Sequence, residues 1–500
     1  MARGSDDLAL APTACVLLVA GPGRRSREEL TSPQPTGRRE RREAGGAASS
    51  HGRGRGAARI LALERQSFFH RRPHGIAEPP FRGCSRRRRT EEACGQKKCK
   101  GWQPDILMSF VPSKPTPAGD LPLTSTDKSR LFMPFTSFQV FERPMHEPAQ
   151  LVRRALSQAL VYYYPVAGRV AVGTGTGHGD FQLAFLDAPL VIPLAELALR
   201  YDGGRCAMSD PLLMMQVTEF ACGGYVVAVT WNHGVADAFG LAQFLQAVGE
   251  LARGLPSPAV VPIRYDESLP DIPQLMSALL RQAPAAFKLK NVDFAYSDVT
   301  VPWSFINRVK GEFRSHTGGQ TCTTFEVVTA AIWQCRTRAI NADPAVPAPL
   351  VFAANVRKHI GSKNGYYGNC VSSQLVEAMS GSVANGAIVD VVRLIKGTKE
   401  RIPESLRSTG ELELHDELVE ALCGYNTLAV TCWSGVGLDG VDFGGGRPAR
   451  VVANTDRTLA PSCFPCLPCS RNHRHGANVV ALCVTEDHIK EFHAELARLR

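Results

Sequence analysis

A chain of 500 residues with 44% hydrophobic residues exceeds the length at which one core usually stops growing, so we expect at least two packed domains. Fifteen cysteines scattered over so large a chain exclude a disulfide scaffold and fit reduced thiols in the cytosol. The net charge of +10 is unevenly distributed, because residues 1–105 carry 22 Lys and Arg against 11 Asp and Glu, whereas the remainder carries 35 against 36. No window approaches the roughly 18 consecutive apolar residues of a transmembrane helix.

The basic segment over 1–105 contains RRERRE (38–43), RGRG (53–56) and four consecutive arginines (86–89), with little apolar periodicity. Such a segment cannot bury enough apolar surface to fold alone. It could contact nucleic acid or a membrane surface, or act as an organelle address. We favour a disordered extension, or translated upstream sequence from a wrong start in the gene model. Its apolar run at 8–23 follows two aspartates, where a secretory signal would carry positive charge, so no signal peptide is predicted.

Organised sequence begins near residue 106, and the stretch 106–262 has the pattern of a first domain. A Pro-rich lead-in (110–129) precedes helices and strands that follow from apolar periodicity and from Gly and Pro punctuation. The predicted strands are 135–141, 181–187, 213–220 and 225–232. The predicted helices run from Pro148 to the YYY before Pro165, and from Asp237 to Gly254.

Repeated prolines between 255 and 290 indicate a connection, for which we assign the linker 263–290, and a second α/β domain over 291–500. Its predicted strands are 292–299, 350–357, 427–433 and 477–484. Its predicted helices are 302–313, 322–340, 387–401 and the run TEDHIKEFHAELARL at the end. The fold class is therefore α/β.

The stretch WNHGVADAFG (231–240) places His233 at the end of a buried strand and Asp237 at the start of a helix. Asp is a favoured helix N-cap, and a histidine at a strand end is often a packed amphipathic side chain. Taken alone, this stretch is better explained by capping than by catalysis.

Three later stretches change that interpretation: CTTFEVVTAAIW (322–333), NVRKHIGSKNGYYGNC (355–370) and VTCWSGVGLDGVDFGGGRP (430–448). With WNHGVADAFG, in this order and at these separations, they resemble the BAHD family of plant acyl-CoA-dependent acyltransferases. The family's HxxxD motif is present as HGVAD, and its DFGWG motif as DFGGG. The resemblance runs from about residue 106 to the end. It looks closest to the branch that includes benzyl alcohol O-benzoyltransferases and taxane acyltransferases.

This resemblance implies two chloramphenicol acetyltransferase-like domains with mixed sheets and a channel between them. His233 would act as general base on an alcohol, since an imidazole with a pKa near about 6.5 suits that task. Asp237 would point away from the substrate and pair with Arg357, which fixes the loop. Thr431 and Trp433 match the family residues near the reacting centre, where a hydroxyl and an indole N–H could donate to an oxyanion. Alternatively, Trp433 is a core residue and Thr431 an ordinary strand residue.

By the same resemblance, Asp442, Phe443, Gly444 and Gly446 form a structural loop that helps to shape the CoA side. Gly445 replaces the family's Trp. This change removes a large aromatic side chain and adds backbone freedom. The loop's rigidity, and with it the affinity for CoA, is therefore in question.

The expected partners are acyl-CoA as co-substrate and a small alcohol, with no permanently bound cofactor, in a cytoplasmic monomer. Two other functions stay open: a catalytically impaired acyl-CoA-binding relative, and nucleic-acid contact through the basic tail. Cys463, Cys466 and Cys469, with His473 and His475 nearby, have spacing that could hold zinc. Their Pro-, Ser- and Arg-rich surroundings are typical of an exposed loop, so no metal is predicted.

Overall fold

The computed structural model describes residues 15–20, 106–172, 181–185, 198–201, 205–220, 223–282, 292–407, 412–454, 460–469 and 475–499. The strands are β1 Cys15–Ala20, β2 Ile106–Phe110, β3 Gly119–Pro122, β4 Pro134–Phe141, β5 Arg169–Val172, β6 Phe181–Phe185, β7 Leu213–Glu219, β8 Tyr225–Asn232, β9 Ser297–Pro302, β10 Leu350–Asn355, β11 Val371–Val376, β12 Leu428–Val430, β13 Arg450–Asn454, β14 Ser462–Pro465 and β15 Gly476–Leu482. The helices are α1 Ser125–Lys128, α2 Pro148–Tyr162, α3 Ala238–Ala252, α4 Leu275–Gln282, α5 Trp303–His316, α6 Thr324–Ala339, α7 Ser380–Asn385, α8 Ile388–Glu400, α9 Ile402–Ser405, α10 Asp416–Leu422 and α11 Ile489–Ala497.

The first sheet has the strand order β13-β4-β8-β7-β1-β2. Its pairs are antiparallel except for β1 with β7, so the sheet is mixed. Strand β8 is buried along its whole length, which explains why YVVAVTWN reads as an uninterrupted run of strand-forming residues. Helices α2 and α3 pack against each other, and their apolar faces enter the core of this sheet.

The second sheet has the order β11-β10-β12-β14-β15-β9 and is also mixed, because β10, β12 and β14 run parallel while the outer pairs are antiparallel. Helices α5, α6, α8 and α11 contribute to its core. Helix α6 is buried almost all round and begins at a capping box formed by Thr323 and Glu326. A third sheet, β3-β6-β5, has three strands. The α/β class with two mixed sheets is as the sequence predicts.

Strand β13 joins the two halves of the chain, because it follows β12 in sequence yet pairs with β4 in the first sheet. Arg450 on β13 also forms an ion pair with Asp298 on β9 of the second sheet, at 2.6 Å. A strand and an ion pair therefore hold the C-terminal half against the sheet that carries His233.

Three local expectations differ from the structure. Within the segment expected to be disordered, Cys15–Ala20 is a strand, since its apolar and β-branched residues can pair between β7 and β2; the rest of that segment lies outside the described residues. The predicted linker contains helix α4. The Cys-rich segment expected to be an exposed loop forms β14, and Cys463 on it is fully buried.

Among the helices that the structure describes, none combines the length and the apolar character needed to cross a lipid bilayer.

Candidate functional site

His233 follows directly after β8 and is half-buried. Its backbone N–H donates to the carbonyl of Met133 at 2.8 Å, which ties the residue to the chain entering β4. The ring of Phe135 meets the imidazole edge-on, with centroids 5.9 Å apart. Backbone pairing and aromatic packing therefore restrict both the position and the orientation of the imidazole.

The surroundings keep the imidazole neutral. Burial, and after it the positive charge of Arg130, lower the pKa of His233 to about 4. The carbonyl of His233 itself, the charge of Asp237 and the carboxamide of Asn369 act in the opposite direction but do not outweigh them. An imidazole that is neutral at physiological pH can accept a proton from a hydroxyl group.

Asp237 is the N-cap of α3, and its carboxylate accepts from the N–H of Gly240 at 3.0 Å. Arg357 binds both carboxylate oxygens, with Nη1 to Oδ2 at 2.7 Å and Nη2 to Oδ1 at 2.9 Å, and the N–H of Cys370 adds a further bond at 2.9 Å. The contact expected between Asp237 and Arg357 is therefore present and bidentate. Burial alone would raise the pKa of Asp237, but Arg357 outweighs it and holds that pKa below its usual value.

The turn between His233 and Asp237 is held by a second set of polar side chains. Asn232 accepts from the N–H groups of Gly234 and Phe132, at 2.9 and 3.2 Å. Arg264 donates to the carbonyl of Gly234 at 3.1 Å, and Asn369 donates to the carbonyl of His233 at 2.7 Å. Successive peptide groups of the turn thus have fixed partners.

Thr431 and Trp433 lie on the chain that leaves β12. The N–H of Thr431 donates to the carbonyl of Cys463 at 3.0 Å, and the residue is half-buried. Trp433 is 1% exposed and packs against Phe135 and Phe464, with centroids 5.4 and 6.2 Å away. The ring of Phe135 therefore contacts both the imidazole of His233 and the indole of Trp433.

The DFGGG loop packs on the far end of α3 from His233. The carboxylate of Asp442 accepts from the N–H groups of Gly444 and Gly446, at 2.7 and 2.9 Å, and Arg253 at the end of α3 donates to the carbonyl of Asp442. Gly444 and Gly446 have φ of 114° and 97°, a conformation that favours glycine.

The side chain of Phe443 is fully buried and packs on Phe141, with ring centroids 5.5 Å apart. Gly445 faces Met145 and Tyr225: an added Cβ would lie 3.4–3.6 Å from their atoms. Met145 and Tyr225 thus lie in ordinary contact distance of the position where the family has Trp. The loop stays anchored by Asp442 and Phe443.

Among the described residues, no group of three or more His, Cys, Asp and Glu side chains could hold a metal ion. Cys466 and Cys469 are half-buried, and His473 lies outside the described residues. That the protein needs no metal stays a prediction.

Sequence reasoning missed several residues that surround His233: Asp127, Arg130, Arg264 and Asn369. Two of them had a local signal. Asp127 completes a capping box with Thr124, a pattern visible in the stretch LTSTDK. Asn369 lies in the GYYGNC stretch that contributed to the resemblance. Arg264 had no such signal, because it falls in the segment predicted as a linker.

Comparison with known proteins agrees with this fold. The model of the "Transferase family" matches residues 108–183 and 203–499. Acyl transferase 15 of Oryza sativa subsp. japonica is 39% identical over 428 residues, which cover 78% of this chain and 96% of that protein.

The fold is shared with solved structures of other proteins. The crystal structure of vinorine synthase gives a TM-score of 0.55 at 19% identity and covers 78% of this chain and 96% of its own. TRI101 of F. sporotrichioides, complexed with coenzyme A and T-2, gives a TM-score of 0.55 at 14% identity and covers 76% of this chain and 99% of its own. The chloramphenicol acetyltransferase-like α/β fold expected from the resemblance is confirmed.

Proposed function

Since the chain belongs to the transferase family of plant BAHD acyltransferases, we propose that it transfers an acyl group from acyl-CoA to the hydroxyl of a small plant alcohol, with His233 as general base. The observation that carries the proposal is a neutral, half-buried imidazole held at the end of β8 by a turn that Asp237 and Arg357 lock. The acyl group is benzoyl, acetyl or hydroxycinnamoyl, and the protein acts as a monomer in the cytoplasm.

The proposed reaction needs no covalent enzyme intermediate. The alcohol oxygen attacks the thioester carbonyl while His233 takes the hydroxyl proton. Collapse of the tetrahedral intermediate breaks the carbon–sulfur bond, and the imidazolium returns the proton to the departing thiolate, so the products are the ester and free CoA. TRI101, which shares the fold, is solved with coenzyme A, and this supports CoA as the carrier.

Thr431 and Trp433 are the candidate donors to the oxyanion. Trp433 is also a core residue, so its truncation would confuse packing with catalysis. Thr431→Val keeps the shape of the side chain and removes the hydroxyl. If the hydroxyl stabilises the oxyanion, kcat falls about 10²-fold in the valine variant, and Thr431→Ser keeps most of the activity. Equal activity of the valine variant and the unchanged protein would remove Thr431 from the mechanism.

The test of the function is a screen of benzoyl-, acetyl- and hydroxycinnamoyl-CoA against small alcohols, with thiol release followed by a thiol reagent. His233→Ala should abolish alcohol-dependent thiol release and leave the thermal unfolding transition in place. His316→Ala, an exposed histidine on α5, is the matched control and should keep full activity. Near-normal turnover without His233 would contradict the assignment.

The proposed direct transfer in a ternary complex of protein, acyl-CoA and alcohol is tested separately. Initial-rate plots against both substrates should intersect, as expected for a ternary complex. Parallel lines, or an acyl group trapped on the protein and found by mass spectrometry, would show a covalent intermediate instead.

A second candidate, an acyl-CoA-binding relative without turnover, is motivated by Gly445. It predicts saturable binding of acyl-CoA with no alcohol-dependent thiol release. The anchored loop favours the active enzyme, because Asp442 and Phe443 keep their contacts although the aromatic side chain is missing.

A further inference from the structure

Cys432 and Cys466 leave the second sheet at the same edge. Strands β12 and β14 are parallel neighbours, with Val430 opposite Cys463, and the N–H of Thr431 donates to the carbonyl of Cys463 at 3.0 Å. Because parallel strands point the same way, the residues that follow them stay side by side. Cys432 is the second residue after β12, and Cys466 is the first after β14. Their side chains meet, since the thiol of Cys466 donates a hydrogen bond to the sulfur of Cys432.

The backbone holds Cys466 at this position. Its φ of 58° lies in the left-handed region, which residues other than glycine rarely adopt. Pro465 before it pairs with β15, and the N–H of Leu467 after it donates to the carbonyl of Asn478 at 3.1 Å. Because both neighbours are held by β15, the Cys466 thiol has little freedom to move away from Cys432.

The two thiols differ from the buried cysteines of the described chain. Burial raises the pKa of each of these buried thiols: Cys206, Cys322, Cys335, Cys370, Cys463 and Cys483. Cys432 and Cys466 are only half-buried. The hydrogen bond from Cys466 holds the pKa of Cys432 below its usual value; burial opposes it, whereas the N–H of Ser434 and the charge of Lys399 add to it. The same hydrogen bond, together with burial, raises the pKa of Cys466. Cys432 is therefore the thiol that ionises first.

A thiolate beside a protonated thiol is an arrangement that a peroxide can convert to a disulfide. The Cys432 thiolate attacks one oxygen of hydrogen peroxide: a sulfur–oxygen bond forms, the oxygen–oxygen bond breaks, and the departing hydroxide takes up the proton that Cys432 had released. The sulfur of Cys466 then attacks the sulfenic acid: the sulfur–sulfur bond forms, the sulfur–oxygen bond breaks, and hydroxide leaves as water with the proton of the second thiol. Two thiols and one hydrogen peroxide thus give one disulfide and two water molecules, and the two electrons lost by sulfur reduce the peroxide.

The pair lies directly beside the candidate oxyanion donors. Cys432 stands between Thr431 and Trp433 in the chain. Phe464 on β14 packs against the indole of Trp433, with ring centroids 6.2 Å apart. A disulfide brings two sulfur atoms to about 2 Å, closer than a hydrogen bond between thiols allows, so the bond draws together the segments that follow β12 and β14. A displacement of about 1 Å in a catalytic site can lower the rate about 10²-fold.

We propose that Cys432 and Cys466 form a redox-sensitive dithiol site: Cys432 reacts with hydrogen peroxide, Cys466 closes the disulfide, the bond lowers acyl transfer, and a dithiol reductant restores it. Formation of the disulfide does not depend on the proposed function, whereas its effect on turnover rests on that function. The first test therefore measures the bond alone.

The bond is measured by mass spectrometry on the full chain. Reduced protein is treated with hydrogen peroxide, the remaining thiols are alkylated, and the peptides are analysed without reduction. Tryptic peptide 408–450 also contains Cys423, and peptide 458–471 contains three cysteines, so fragmentation is needed to locate the bond. We expect a link between Cys432 and Cys466 that dithiothreitol removes. Complete alkylation of both thiols, at a peroxide concentration that oxidises other cysteines of the chain, would overturn the proposal.

The roles of the two thiols are tested by trapping the sulfenic acid with dimedone. Cys466→Ser removes the second thiol, so dimedone should label Cys432 after peroxide treatment, whereas Cys432→Ser should leave Cys466 unlabelled. Cys423→Ser is the matched control, because Cys423 is exposed at the end of α10 and its loss should leave the link between Cys432 and Cys466 unchanged. Labelling of Cys466 in place of Cys432 would contradict the assigned roles.

Turnover supplies the second readout, with the ester product measured by chromatography after the peroxide is removed. Oxidation should lower kcat by at least about 10-fold, dithiothreitol should restore it, and Cys432→Ser should keep its own kcat through the same treatment. Full activity of the cross-linked protein would overturn the effect on turnover. If the link forms but the reduced protein transfers no acyl group to any alcohol, the proposed function fails while the dithiol site stands.

Discussion

At the scale of single residues, the environment of His233 makes a prediction about pH. Burial and then Arg130 lower the pKa of His233 to about 4, whereas an unperturbed histidine titrates near about 6.5. The imidazole therefore stays neutral in mildly acidic solution, and if it is the base, as proposed, the acid limb of kcat/KM should lie well below pH 6. A profile of kcat/KM between pH 4 and 8 on a non-ionising alcohol measures it, and a limb near 6.5 would contradict the prediction.

The same shift affects stability. Because the folded-state pKa of His233 is lower than the unfolded value, the unfolded chain takes up the proton first as the pH falls. The contribution of neutral His233 to the free energy of unfolding is therefore present above about pH 6.5 and is lost as the pH falls toward its folded pKa.

Arg130→Gln removes the positive charge near the imidazole, so it should move the acid limb of the activity profile to higher pH. An unmoved limb in a folded variant would exclude Arg130 as a cause.

Arg357 gives a prediction about the free energy of unfolding. Asp237 is 1% exposed and depends on Arg357 for two of its hydrogen bonds. Arg357→Ala leaves a buried carboxylate without its counter-charge, which should cost about 3–5 kcal/mol in urea denaturation. Arg308→Ala is the control, since its ion pair with Glu312 on α5 is exposed and should cost less than about 1 kcal/mol. Similar losses in the two variants would show that the Asp237 pair is not structurally critical.

At the scale of elements, helix α3 connects the two family motifs. Its first residue follows Asp237, and Arg253, which caps its C-terminal end, donates to the carbonyl of Asp442. A Cβ on Gly249 would lie 2.5 Å from the same carbonyl oxygen, so the DFGGG loop lies directly on the helix backbone. The loop therefore supports the C-terminal end of α3, and the N-terminal end of α3 directly follows the turn that carries His233.

Gly240 near the start of α3 provides the test at this scale. A Cβ there would lie 1.8 Å from the carbonyl oxygen of Tyr367, a backbone atom that cannot move aside alone. Gly240→Ala should push α3 away from the segment that carries Asn369 and Cys370, and so lower both activity and thermal stability.

Gly311→Ala is the matched control, because Gly311 lies inside α5 and no atom of the described residues comes within 4 Å of the added Cβ. Replacing it should raise stability by about 0.5–1 kcal/mol through helix propensity and leave activity unchanged. A fully active, stable Gly240→Ala protein would mean that the close approach of α3 to Tyr367 is not needed.

At the scale of the whole molecule, the first core is completed by the second half of the chain. The side chains that the C-terminal half adds to this core are Tyr367, Trp433, Val436, Leu438, Val441, Phe443, Val451, Ala453, Phe464, Leu467 and Val480. Strand β13 also covers the edge of β4. That residues 106–262 and 291–500 form two domains stays a prediction. Whether the first of them folds on its own can be tested.

A chain restricted to residues 106–262 would lack β13 and these core residues, and would expose the edge of β4, which favours aggregation. We expect this fragment to show no cooperative unfolding transition by circular dichroism, and the full chain to show one. Co-expression with residues 263–500 is the control, since it restores the missing strand. A fragment that unfolds cooperatively alone would establish an independent first domain.

The elements that follow from the amino-acid sequence alone are those whose signal is local. Strand β8, helix α3 and the cap at Asp237 follow from apolar spacing and from side-chain chemistry within a few residues, so they could be predicted closely. The four stretches 231–240, 322–333, 355–370 and 430–448, in their order along the chain, were enough to identify the family. Strand β14 was predicted wrongly as an exposed loop, because its burial comes from pairing with β12 and β15 and not from its own composition.

The distant residues that contact the turn of His233 are known only from the packing of the folded chain. Asn369 lies 136 positions along the chain from His233, and Asp127 lies 242 positions before Asn369. Hydrogen bonds at such separations leave no periodic trace in a single sequence, because their geometry depends on how sheets and loops pack. The pairing of Asp237 with Arg357 was anticipated only through the family resemblance, whereas the buried contacts of Arg264 and Asn369 became visible when the chain was folded.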